Sequence, residues 1–296
     1  MQVLLPVLFA LCAALSNALA VVLQRVAALS VPRSERFRLG LMWDLLRRPV
    51  WLGGILAVIA AAVFQASALA TGAMTVVQPL FVVELPLALI IASRVLHRRM
   101  PPRGWMAVGC VVAGLAVAMV ALSPSAGVPH APMVRWVPAL VGCGGAVVLL
   151  SLVALRRPVG RVRAGCLGAA AAIGYALTAA LMKSAMYVLG EDGVSAFFLA
   201  WQTYAFALAG VSALFLFENA MQAGPLVASQ PALTLGDALV SLALGVTLYD
   251  ERVRGGWWLA PALLGAALVA VAAVTLARIP LTGLVVAAEP AKAGHR

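Results

Sequence analysis

Long apolar runs alternate with short polar gaps along the whole chain. The runs fall at approximately 3–24, 51–71, 74–96, 104–123, 135–155, 165–189, 196–217, 225–249 and 256–277. Each is close to the ~20 residues a helix needs to cross the hydrocarbon of a bilayer. A segment in lipid must satisfy its backbone internally, so the pattern predicts helices rather than isolated strands. The expected fold is all-α: a polytopic membrane protein of about nine transmembrane helices. The one long gap, 25–50, is too charged to cross, and Phe37, Leu41, Leu45 and Leu46 have rough helical spacing. That spacing predicts an amphipathic helix on the membrane surface. Ile279 to Ala288 is apolar but shorter than a span, and stays unassigned. Met1 to Ala20 could pass for a signal peptide ending at Ser-Asn-Ala-Leu-Ala. Its start carries no Lys or Arg and the apolar stretch runs on through Ala28, so a retained first span is expected.

Charge then orients the pattern. With the N-terminus outside, 17 of the 21 Lys and Arg residues fall on the inner side, in 25–50, 94–103, 156–163 and the tail from Arg278. Arg135, Arg252, Arg254 and Lys183 fall on the other side, with the acidic pair Glu191-Asp192. This asymmetry predicts an N-out, C-in protein of the plasma (cytoplasmic) membrane. Composition closes off the other classes. Apolar residues make up 64% of the chain and charged residues 10%, too few to coat a soluble globule and too apolar for a disordered chain. The net charge of +11 would suggest nucleic acid in a soluble protein, but here it sits in membrane-flanking gaps and points to lipid headgroups. Cys12, Cys110, Cys143 and Cys166 lie inside apolar runs, without paired spacing or a nearby His, and read as packing residues.

The chain also resembles itself. Gln78-Pro79 and Gln230-Pro231 are 152 residues apart, and at the same offset Gly72 meets Gly224 and Gly104-Trp105 meets Gly256-Trp257. Span one aligns with span six in the same sense, Arg25 falling opposite Lys183. Spans 1–4 thus correspond to spans 6–9, and the shift of five spans turns the second copy upside down. The expected organisation is a first repeat at 1–124, a connecting span at 125–163, an inverted repeat at 164–278 and a cytoplasmic tail at 279–296. Inverted repeats characterise secondary carriers, with the site at the repeat interface near mid-membrane.

Few groups inside the spans can carry chemistry. Glu84 sits near the middle of span three and Asp237 near the middle of span eight, 153 residues apart. An intramembrane carboxylate is a functional candidate by default, and one per repeat predicts a pair around a central cavity for a cation, a proton or a cationic group. The bland alternative is a protonated acid hydrogen-bonded between helices. Gln78 and Gln230 each precede a proline, which removes a backbone donor and loosens a helical turn. They can line a bent pathway or simply bridge helices. Gln65 is the remaining binding candidate, with Asn17, Tyr175, Gln202, Tyr204, Glu218 and Asn219 weaker ones. Arg25 and Lys183 read as side chains reaching for the interface. The glycines of Gly142-Cys143-Gly144-Gly145 read as a close helix contact. No P-loop, HExxH or GxSxG signature occurs, so no enzyme and no cofactor is expected, and the metal content stays unknown.

Leu248-Tyr249-Asp250-Glu251-Arg252-Val253, followed by Gly265-Ala266-Ala267-Leu268-Val269, is similar to the turn and glycine-containing helix that close an EamA-type repeat. On these residues the chain resembles the drug/metabolite transporter superfamily over nearly its full length. His97-Arg98-Arg99 departs from the corresponding pattern in the first half. Nine spans, Phe217-Glu218-Asn219-Ala220-Met221 and Leu181-Met182-Lys183-Ser184 look more like the NIPA-type magnesium transporter branch. The resemblance implies a carrier of a small solute or cation working by alternating access, compatible with proton coupling and with a homodimer. A magnesium or other divalent cation carrier is the alternative, and a non-transporting membrane scaffold the second. The partners implied are the lipid bilayer and the substrate, with no nucleic acid.

Overall fold

A computed structural model describes residues 4–29, 49–95, 97 and 99–279. The surface helix expected within 25–50 lies almost entirely outside the described residues, as does the stretch from 280 onward. Among the described residues, nine helices are long and apolar enough to cross a membrane. We number them α1 (Leu4–Leu29), α2 (Pro49–Thr71), α3 (Met74–Val95), α4 (Pro102–Leu122), α5 (Met133–Leu155), α6 (Arg161–Leu199), α7 (Trp201–Ala223), α8 (Leu226–Tyr249) and α9 (Gly256–Ala277). Among the described residues the fold is all-α, with one isolated bridge between Ser125 and Arg252.

The helices start as their sequences require. Proline opens α2 and α4, where its missing N–H is one that no helix would use. The two Gln-Pro steps behave differently. After Pro79, α3 passes through a 3-10 turn at Phe81–Val83 before resuming at Glu84, whereas Pro231 leaves α8 continuous. The break expected between spans six and seven falls within the expected gap. Glu191-Asp192 is helical rather than a turn, and the helical path breaks at Gly193, whose φ of 84° suits only glycine. A short helical stretch runs on to Leu199, and span seven runs 201–223 instead of 196–217.

Helix α1 packs on α2 and α3, and α6 packs on α7 and α8. Helix α4 packs on α9, and α3 meets α8. At the α4–α9 crossing a Cβ on Gly114 would lie 2.6 Å from the Gly265 carbonyl oxygen, and one on Gly265 would lie 2.5 Å from that of Gly114. Only glycine at both positions lets the backbones approach so closely. The glycines at 142, 144 and 145 do not behave this way. A Cβ there meets nothing within 4 Å, so the expected close contact is not made within the chain. Helices α5 and α7 turn large apolar side chains outward, among them Val134, Val141, Leu208 and Phe215. In water this surface would be a liability, and in lipid it is the expected exterior.

The core is unequal at the two ends of the bundle. Around Ala10, Leu69, Met74, Val77, Leu115, Trp136, Leu181 and Tyr249 one cluster joins α1–α6 and α8. At the opposite end the buried residues form two groups: one holds α1, α3, α4 and α9 around Val22, Leu89, Val111 and Leu276, the other α5–α7 around Ala154, Leu167 and Ala220. We call the end held by one core the sealed end and the end with two separate cores the split end.

Candidate functional site

Glu84 opens the lower half of α3 immediately after the 3-10 turn, and Asp237 lies halfway along α8. Both are half-buried. Asn17 of α1 offers its side chain to the Glu84 carboxylate. Ser241, one turn on in α8, donates to Asp237 Oδ1 at 3.3 Å. The two carboxylates lie within electrostatic reach of each other, and Tyr175 of α6 lies within reach of both and of Glu218. The candidates from opposite halves of the chain thus lie within long-range electrostatic reach, with no direct contact between the two carboxylates among the described residues. No Lys or Arg among the described residues pairs with either acid. The site is net acidic and deep, and it lies at the level where the single core gives way to the split end.

Gln78 and Gln230 are buried, 3% and 7% exposed. Each amide can make up to four hydrogen bonds, and neither is among the buried side-chain groups left without a partner, which among the described residues are those of Thr75, Trp136, Arg163 and Ser229. Gln65, on α2, is half-buried and makes no described contact with the acids. No three His, Cys, Asp or Glu side chains among the described residues come together as a metal-holding group.

The sealed end carries a second polar cluster, which sequence reasoning missed. Glu251, just past α8, accepts from the Met74 and Thr75 backbone N–H groups at 2.7 Å each, capping the start of α3. Lys183 donates to the same carboxylate at 2.6 Å and to the Gly72 carbonyl at 3.1 Å, and stands 4.7 Å from the Tyr249 ring centre. The Tyr249 hydroxyl donates to the Ala180 carbonyl at 2.6 Å and lies 2.9 Å from Ser184 Oγ. Side chains of the pair are 9% and 0% exposed. Lys183 is therefore not an interfacial snorkel, because its charge is neutralised inside the protein. The side chain of Arg25, its expected counterpart, lies outside the described residues. A Cβ on Gly245 would come within 2.6 Å of Glu251 Oε2, so glycine makes room for the carboxylate. The signal was present in the Tyr-Asp-Glu-Arg turn and the lone lysine of α6, but only the fold puts them together.

The loop after α4 lies across this end. Val128 N–H donates to the Tyr249 carbonyl at 2.6 Å, Ser125 pairs with Arg252, and Arg135 meets Asp250 at 2.6 Å. An open depression of about 790 Å³ here is lined by Ser125–Val128 and Asp250–Val253, and does not include Glu84 or Asp237.

No protein-family model matches the chain. No solved structure matches it either. It is similar to an uncharacterized protein of Corynebacterium glutamicum, 28% identical over 258 residues, which takes in 86% of this chain and 88% of that protein. The likeness thus runs across most of both sequences. Fold and composition together make the chain an integral, polytopic membrane protein with nine candidate spans among its described residues.

Proposed function

We propose that the protein is a secondary transporter of the drug/metabolite type that moves a small cationic solute by alternating access. The observation that carries this reading is a half-buried carboxylate in each half of the chain, Glu84 and Asp237, within electrostatic reach of each other and without a basic partner among the described residues. Two such carboxylates in a low-dielectric setting repel each other and are strongly stabilised by a cation or protons between them. Gln78 and Gln230 supply neutral donors and acceptors for the rest of the guest. The matched pairings of α1 with α2 and α3, and of α6 with α7 and α8, support an inverted repeat, as does the reciprocal contact of Gly114 and Gly265. A two-fold relation requires such reciprocity.

The unequal ends support the mechanism. A sealed end and a split end are what a carrier presents in one of its two access states, with the acids at the boundary. The charge asymmetry supports a cytoplasmic position for the split end, which on this reading is an inward-facing state in the plasma membrane. A divalent ion such as magnesium, the alternative substrate, would need most of its six oxygens from water and amides.

Counterflow in proteoliposomes, with a panel of cationic, neutral and anionic solutes, tests the proposal. A cation should exchange, and Glu84→Gln should lower its exchange at least tenfold while leaving the protein folded. Undiminished exchange by Glu84→Gln, or exchange of anions alone, would remove the site.

A further inference from the structure

We propose that the split end carries a site for the phosphate of an anionic lipid headgroup, distinct from the central acids. A cavity of about 500 Å³ is lined by Arg161, Pro225, Ala228 and Arg278, which brings together the start of α6, the start of α8 and the end of α9. The site is built rather than incidental. A Cβ on Gly168 would come within 2.8 Å of the Ser229 carbonyl oxygen, and one on Gly224 within 2.5 Å of that of Gly160. These close approaches, with Gly160 N–H donating to the Ala223 carbonyl at 2.8 Å, hold the two helix starts side by side.

The electrostatics of the cavity are unbalanced. Neither Gly160 nor Pro225 supplies a side-chain cap, and of the first-turn amides of α8 that of Ala228 donates to the Pro225 carbonyl at 2.9 Å. A helix N-terminus is the positive end of its dipole and a natural seat for an anion. Arg161 and Arg278 add full charges, and neither has a carboxylate partner among the described residues. The carbonyl end of α9 offsets part of the Arg278 charge. Two residues on from Arg161, the Nε of Arg163 is buried without a partner. Two helix N-termini and the exposed guanidinium groups of Arg161 and Arg278 offer a multivalent oxygen acceptor matching donors, and a phosphate is the group that fits the guanidinium fork.

The position selects the source. Three spans end around the cavity, so it lies where headgroups lie, and basic pockets between helices on the cytoplasmic side are where anionic headgroups bind. Arg156 and Arg157, in the adjoining connection, add to the local field.

The test uses the full chain purified in detergent. Binding of phosphatidylglycerol, phosphatidylcholine and inorganic phosphate is followed by native mass spectrometry and by the unfolding midpoint. Phosphatidylglycerol should be retained and should raise the midpoint, while phosphatidylcholine should do neither. Each arginine near a lipid surface contributes about fivefold to affinity, so R161A/R278A should weaken retention roughly 25-fold. Arg254→Ala, which removes the same kind of charge at the sealed end, should change nothing. The single variants R161Q and R278Q, each about fivefold weaker, test the same contacts should the double variant not fold. Equal retention by the wild type and these variants would overturn the site. Saturation by millimolar inorganic phosphate without a lipid effect would show a free anion site and overturn the lipid assignment. Neither outcome bears on the central acids, which are read by counterflow.

Discussion

Lys183 shows how position along a span can mislead. A lone lysine near a helix end has an inexpensive way out through its own flexible stem, and nothing in its neighbours contradicts that route. The fold closes it by bringing Glu251 from 68 residues away to 2.6 Å, together with two backbone donors from α3. Once buried, each partner depends on the other. Removing one leaves an uncompensated charge, a loss of about 3–5 kcal/mol, whereas removing both costs much less. Glu251→Gln and Lys183→Met should therefore each destabilise the protein strongly, and the double variant should recover a large part of the loss. A double-mutant cycle on unfolding in detergent measures this coupling. Additive effects would mean the two side chains do not share a buried pair. Glu84 and Asp237 were legible as candidates because an acid in mid-span has few bland readings. Glu251 was not, because it reads as part of a polar turn.

Among the helices, what was legible was length and apolarity, and what was not was local geometry. The nine spans follow from run length alone. Their ends do not: Glu191-Asp192 looks like a turn, yet the α6 backbone carries it in helical form to the bend at Gly193. The two Gln-Pro steps are alike in sequence, but only α3 breaks after its proline. Which of two equivalent prolines bends a helix depends on neighbours that accept or refuse the freed carbonyls, and those neighbours are tertiary. The same holds for glycines. Those of α5 meet open space, whereas Gly114 and Gly265 fix the α4–α9 crossing. Gly265→Val must push its neighbour's backbone away, and overpacking of this kind costs about 1–3 kcal/mol. Gly144→Val should cost little. Thermal unfolding of the two variants side by side checks the ranking, and equal effects would mean the α4–α9 contact is loose enough to admit a side chain.

For the whole molecule, the decisive feature is the difference between its ends. One core spans both halves of the chain where Glu251 caps α3, and two separate cores face each other at the far end. Run length and apolarity could not show this, because they do not say how the buried groups of separate helices join into cores. The sequence does show a break in equivalence between the halves: the position matching Glu251 in the first half is Arg99, which is exposed and offers no carboxylate to a helix start. If the chain works as the proposed carrier, the Lys183–Glu251 cluster is a latch that the end with two cores lacks. Accessibility should report it. With Cys12, Cys110, Cys143 and Cys166 replaced, a cysteine at Tyr175, beside the two acids, should react with a membrane-impermeant maleimide applied to the cytoplasmic face of oriented vesicles and hardly at all from outside. Adding Lys183→Met and Glu251→Gln together, which removes the latch without leaving a lone charge, should raise labelling from outside and lower it from inside. Labelling mainly from outside in the parent protein would reverse the orientation read from charge. Labelling indifferent to the double substitution would show that the pair stabilises the fold without holding the access state.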